Sequence, residues 1–276
     1  MEPSWSVIRY ILKQYDYRSL NRYLNQYPSL RSQPIDRLIR LGQGIIEVDL
    51  KTVQTLANDK ERFLISPNPL QQCIYFYVHS LNIQLKKHEY ADYLRGLTPL
   101  LVDVFQWILI SFVLPDWNQF VEKHFIQVDG QSLYKGLRFN EKLIKEKGPF
   151  IEKVWSKHYP HGFDYHTYIS SSHLLKLIDE GVDDTAIVAK AVKLRQIEKK
   201  ARNLVAHEIV HVDEQWVQTR TGLTMEEIHH LLIDLLNLAG LNDNRVWSSL
   251  DTINQQLLSL INHQQQLNDI ENNKEE

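Results

Sequence analysis

Apolar residues recur at helical spacing along almost the whole chain, and nowhere does a strand pattern alternate with a helix pattern. That periodicity excludes parallel α/β architectures, because a helix stripe repeats every 3.6 residues and a half-buried strand every two. In WSVIRYILKQY, Trp5, Ile8, Ile11 and Leu12 fall on one face, with Ser4 placed to cap the helix. In PIDRLIRLGQGIIEV, Pro34 stands at the first helical position. From Asn68 the chain is more hydrophobic, and two long core helices are expected, over PLQQCIYFYVHSLNIQLKKHEYADYLRGL and over TPLLVDVFQWILISFVL. The one hairpin signal is FIQVDGQSLYKGL, where Asp129-Gly130 suits a tight turn. The expected fold is therefore all-α, mainly helical, with at most one small β-hairpin.

Three segments are expected: a helical connector over 1–65, a helical catalytic domain over 66–265 and a polar tail over 266–276. The first boundary follows the rise in hydrophobicity after ISPNP. Length allows this, since 276 residues can bury one or two cores. The apolar run at 98–115 contains Asp103 and Gln106 and is short for a membrane span, so a buried helix is expected and no membrane partner. MEPSWSVIRY has no charged leader followed by a small-residue cleavage site, so no signal peptide is expected. A single cysteine, Cys73, allows no internal disulfide and suits a reducing cytoplasm. The net charge of −3 argues against wholesale electrostatic binding of nucleic acid while allowing a local basic patch.

The chemistry concentrates in KKARNLVAHEIVHVDEQW, residues 199–216, on a helix expected to run from about Asp184 to beyond His211. Two readings compete for His207. HEIVH fits the H-E-x-x-H pattern of zinc proteases: at about 40° apart around a helix, His207 and His211 could share a zinc, with Glu208 activating its water. The context is poor, because an extended metzincin pattern would need Gly at 214 and His at 217, and the chain has Glu214 and Val217. The other reading takes Arg202, Asn203 and His207 as a metal-free ribonuclease set.

That set, late in an all-α domain and with helices to follow, resembles the HEPN superfamily of ribonucleases. Their signature is an arginine, a polar residue after it, and a histidine a few positions on; here four residues separate Arg202 from His207. More narrowly, the chain resembles the helical and catalytic portions of the CRISPR-associated ribonucleases of type III-A (Csm) systems, which cyclic oligoadenylates activate. The resemblance implies a cytoplasmic homodimer that cuts single-stranded RNA in antiviral defence, without metal or other cofactor, leaving a 2′,3′-cyclic phosphate and a 5′-hydroxyl. Those relatives begin with a Rossmann-like sensor domain, and no such pattern occurs here. Either the chain starts after the sensor, which its start inside a helix favours, or it is a sensorless relative. Cyclic oligoadenylate is an expected partner only where a sensor domain is present.

The residue types suit the reaction. Histidine moves protons near neutrality, and an arginine fork can clamp phosphate oxygens as they gain charge. On one straight helix, however, Arg202 and His207 stand about 140° apart and about 7.5 Å along the axis, so they do not converge on one phosphate. Two helices meeting across a symmetric dimer would supply a composite site. His211 is expected to line the same cleft or to be structural. Arg195, Lys199 and Lys200, with Lys190 and Lys193, could draw in RNA backbone or form a solvated face with Glu198 for local pairing. A non-catalytic helical module that dimerises or binds RNA remains the alternative from another class.

Other groups read as structural. His158, His161 and His166 lie loosely spaced in the aromatic loop HYPHGFDYH, and Ser171, Ser172 and His173 suggest a helix cap. Tyr75, Phe76, Tyr77, Phe105 and Trp107 have core-helix spacing.

Overall fold

The computed structural model describes residues 3–202, 205 and 209–275. The chain forms two compact units, one of Met1–Glu89 with Asp243–Glu276 and the other of Tyr90–Asn242.

The first unit opens with α1 (Trp5–Lys13), α2 (Tyr17–Leu24), α3 (Gln33–Ile46), α4 (Leu50–Leu56) and α5 (Pro69–Lys86). Asp16, Asp49 and Asn68 cap α2, α4 and α5 by accepting from the backbone amides of Ser19, Thr52 and Leu70. Ser4 holds the cap position of α1 but makes no side-chain cap bond; its hydroxyl meets that of Ser6. Pro34 is the second residue of α3, after Gln33.

The second unit is built on α6 (Tyr90–Phe112), followed by the hairpin β1 (Val121–Val128) and β2 (Gln131–Phe139). Then come α7 (Glu141–Lys147), α8 (Pro149–His158), α9 (Ser171–Gly181), α10 (Thr185–Ile197), α11 (Glu214–Thr221) and α12 (Met225–Leu238). The chain then returns to the first unit with α13 (Asn244–Trp247) and α14 (Ser249–Glu275). Tyr17 donates to Asn254 Oδ1 at 2.8 Å, and Trp247 packs on the Tyr75 ring at 4.6 Å, so both ends of the chain share that core. The fold is mainly helical, and the antiparallel hairpin is the only sheet among the described residues. Asp129 (φ 50°) and Gly130 (φ 78°) make its turn, as the Asp-Gly pair predicts.

The two long hydrophobic helices are divided differently from the sequence expectation. The break comes at 87–89 rather than at Thr98-Pro99. His88 takes a left-handed conformation (φ 58°), and the Glu89 amide donates back to the Gln84 carbonyl at 2.9 Å, closing α5 without a glycine. Pro99 lies inside α6. A proline there costs about 3 kcal/mol or more. Leu94, Leu97, Leu101, Val104, Phe105, Ile108 and Leu109 are fully buried, at about 1.5–3 kcal/mol each, which outweighs that cost. Among the described residues α6 is the one helix long and apolar enough to cross a membrane, yet 56% of its most apolar window is buried inside the protein.

Candidate active site

The motif lies at the exit of α10. Asp184 caps this helix, accepting from the amides of Ala186 and Ile187 at 2.8 and 3.3 Å, where the sequence places its start. Ile187, Ala191, Leu194 and Ile197 bury one face. At Glu198 the helix widens into a π-type turn over Glu198–Arg202. An insertion of this kind adds a residue to the turn and recurs at functional sites.

The expected helix to beyond His211 is not what forms. Ile209–Asp213 is non-helical, and Asp213 caps α11 by accepting from the Trp216 amide at 2.7 Å. A cap residue needs extended backbone, and Asp213 has φ −112° and ψ 178°, so the chain must leave any helix before it. His211 lies in this non-helical segment, not on a continuation of α10. His211 is exposed, 3.8 Å from the Asp213 carboxylate.

Of the candidate catalytic residues, the Arg202 backbone closes the π-type turn. Asn203, His207 and the Arg202 side chain lie outside the described residues. Ala201 and Val205 are buried, and the Val205 carbonyl accepts from Arg95 Nε at 3.1 Å.

The basic approach separates into two sets. Arg195 turns inward, 3.5 Å from Glu198, and Lys190 pairs with Asp234 at 2.9 Å. Lys193, Lys199 and Lys200 are exposed. Glu198, read from sequence as a surface partner, is buried, and Ser171 Oγ donates to it at 2.7 Å. Ser171 is therefore a clamp on the π-type turn, and the cap of α9 is Ser170, which accepts from the His173 amide at 3.4 Å. A buried carboxylate is stable only when hydrogen-bonded or paired, and Glu198 is both.

The histidines of the aromatic loop stand apart. His158 meets Glu180 at 3.2 Å, while His161 and His166 are exposed. No three His, Cys, Asp or Glu side chains among the described residues are grouped to hold a metal ion. His173 sits against the stacked pair Trp155–Phe163, and burial pushes its pKa down to about 4.

Sequence reasoning passed over one feature. An open cleft of about 740 Å³ lies beside the π-type turn, lined by Lys200, Asp213, Gln215, Trp216, Thr219 and Arg220. Its signal was available: Trp216 and Arg220 are i, i+4 neighbours on a capped helix.

The protein family described as the Cas_Csm6 HEPN domain matches residues 63–258, well over half of the chain and all of the motif. The chain belongs to that family. It is thus a member of a CRISPR-associated ribonuclease family. A solved structure titled Enterococcus italicus Csm6 bound to cyclic hexa-2′-fluoro-hexa-dAMP shares the fold, with a TM-score of 0.57 at 13% identity. The match covers 92% of this chain and 56% of that one, so the chain spans little more than half of that relative's length. No curated protein sequence matches significantly.

Proposed function

We propose that this chain is the catalytic part of a metal-independent endoribonuclease that cuts single-stranded RNA in CRISPR antiviral defence in the cytoplasm. It works as a homodimer, with Arg202, Asn203 and His207 of both copies around a shared cleft. Residues 1–65 serve as the connector, 66–265 as the catalytic domain and 266–276 as the tail. The observation that carries this is the position of the motif. Arg202 and His207 fall within the matched family segment, and Arg202 closes the π-type turn that follows a capped helix and carries exposed Lys199 and Lys200.

In this reading the 2′-oxygen attacks the adjacent phosphorus as a base takes its proton. Arg202 holds the non-bridging oxygens as their charge grows, and Asn203 orients substrate or imidazole. The 5′-oxygen leaves with a proton, giving a 2′,3′-cyclic phosphate and a 5′-hydroxyl. His207 is the proton carrier, for which imidazole suits neutral pH. Cyclic oligoadenylate acts on this chain only through a sensor domain. The Enterococcus relative was solved with a cyclic oligonucleotide, and it is the longer chain.

The test is cleavage of a labelled single-stranded RNA in excess EDTA by the wild type and by His207→Ala, Glu208→Gln and Arg202→Ala. Cleavage should survive EDTA and Glu208→Gln and fall by about 10²–10⁴-fold in the other two. Activity that disappears in EDTA returns HEIVH to the metal reading.

A further inference from the structure

The cleft beside the π-type turn combines features that a nucleotide binder needs, in a place where a catalytic motif would use them. The Arg220 guanidinium lies over the Trp216 ring, 4.5 Å from its centroid. Arginine planes and aromatic faces both stack nucleobases, and stacking tolerates any sequence because every base has a π face. Trp216 is half-buried and Arg220 exposed, so the pair presents a surface rather than filling a core. Lys200 reaches the same cleft from the turn that carries the Arg202 backbone. Neither Lys200 nor Arg220 forms an ion pair among the described residues. Asp213 is the one carboxylate in the lining, and one of its oxygens is already committed to the Trp216 amide.

The platform is also rigid. Asp213 caps α11, Val217 is fully buried beneath it, and Glu214 accepts from the Met225 amide at 2.7 Å, which ties α11 to the start of α12. A fixed platform loses little entropy when a base settles on it. The cleft volume of about 740 Å³ falls within the range of about 300–1,000 Å³ typical of ligand sites.

We propose that Trp216 and Arg220 form a base-stacking subsite for single-stranded RNA, with Lys200 contacting the backbone phosphate beside the stacked base. Resting on the ribonuclease reading, this assigns where the strand is held beside the π-type turn. The chemistry is sequence-tolerant: the stacked base is gripped by its face, and the cation next to it pairs with a phosphate of any nucleotide.

The experiment measures binding of a short 2′-O-methyl single-stranded RNA, which lacks the attacking hydroxyl, by tryptophan fluorescence and by competition with a labelled strand. Wild type is compared with Trp216→Phe, Trp216→Ala, Arg220→Ala and Lys200→Ala. Cleavage of ordinary RNA by His207→Ala is measured separately. Binding should quench fluorescence in the wild type, and the Trp216→Phe variant should lose that quench, although five other tryptophans remain. Affinity should fall by roughly five- to hundredfold in Trp216→Ala. Arg220→Ala and Lys200→Ala should also bind more weakly, the second with a shallower dependence on salt. Trp216→Phe should keep most of its affinity, because a ring remains, and it guards against reading a folding defect as a lost contact.

Wild-type binding without quench, equal affinity in Trp216→Ala, or no RNA binding at all would each overturn the subsite. Loss of quench in Trp216→Phe and of affinity in Trp216→Ala, together with cleavage that persists in His207→Ala, would sustain the subsite and refute the catalytic assignment. The two proposals thus fail separately.

Discussion

Ser171→Ala should loosen the turn that carries the candidate motif, although Ser171 and Glu198 are 27 residues apart in sequence. In the folded chain Ser171 is 2% exposed and Glu198 5%, so no water stands ready to replace the hydroxyl. The serine donates to Glu198 Oε2 at 2.7 Å, and the Arg195 guanidinium lies 3.5 Å from the same oxygen. A hydrogen bond to a charged group contributes about 1.5–3 kcal/mol, and removing one partner leaves the desolvation of the other uncompensated. Ser171→Ala should therefore cost about 2 kcal/mol. Glu198→Gln keeps an acceptor for the hydroxyl and removes the buried charge, so it should cost about 1 kcal/mol or less. In the double variant the two losses should not add, with a coupling energy of at least about 1 kcal/mol. Urea unfolding of all four proteins measures these values, provided the slope with denaturant is unchanged. RNA cleavage by Ser171→Ala should fall as well, since the clamp positions Glu198–Arg202. A loss under about 0.5 kcal/mol, or strict additivity, would show that the buried pair does not hold the turn.

Acid should destabilise the first unit through His79. Its ring is 4% exposed and lies 2.9 Å from the Val246 carbonyl, and burial pushes its pKa from 6.5 to about 4. The unfolded chain then binds the extra proton first. The stabilisation is whole above pH 6.5 and is lost as pH falls toward 4, by about 3 kcal/mol at 1.36 kcal/mol per pKa unit. Unfolding curves between pH 7 and pH 4.5 should show this slope in the wild type and a flatter one in His79→Gln; equal slopes would count against it. A second contrast tests packing in α3. A Cβ added at Gly42 would lie 2.5–2.9 Å from Tyr17 ring carbons, whereas one added at Gly44 meets Thr52 and Val53 methyls at 3.2 Å. Gly42→Ala should lower stability by about 1–3 kcal/mol, while Gly44→Ala should stay near neutral because alanine's helix propensity offsets the tight contact. Thermal melts decide the order.

Local signals were legible where local physics decides. Helical periodicity, the Asp184 cap and the Asp129-Gly130 turn all follow from residue type and spacing, and the structure has them where they were expected. The divided core helices were misread for the opposite reason. Pro99 is a breaker by type, but burial on both sides keeps it inside α6, and the true break at His88 uses a left-handed residue that is neither Gly nor Asn. Near the motif no Gly or Pro occurs between Asp184 and Asp213, so the chain carries no punctuation to mark the π-type turn. The readable sign was Asp213 three residues before Trp216, a cap that competes with a continuing helix. The Ser171 clamp on Glu198 and the return of α13 and α14 to the first core are tertiary pairings with no local trace.

The proposed dimer has a second candidate contact. On a straight α-helix the wide angle between Arg202 and His207 argued for two copies, but the π-type turn and the non-helical Ile209–Asp213 remove that premise. What stands in its place is Ile209. Its side chain is fully exposed, at 108% relative exposure, two residues past His207. A large aliphatic residue beside a motif is a natural contact for a second copy, and under two-fold symmetry it contributes twice. Burying one isoleucine is worth about 1.5–3 kcal/mol, so two supply about 3–6 kcal/mol. Ile209→Asp should therefore weaken self-association by at least about a hundredfold. Sedimentation velocity over a dilution series measures it, and the circular dichroism spectrum should stay unchanged because the residue supports no core. Cleavage should fall in step with the dimer fraction and recover at high protein concentration. Lost cleavage with the dimer intact would make Ile209 a substrate contact, and unchanged association would place the symmetric interface elsewhere.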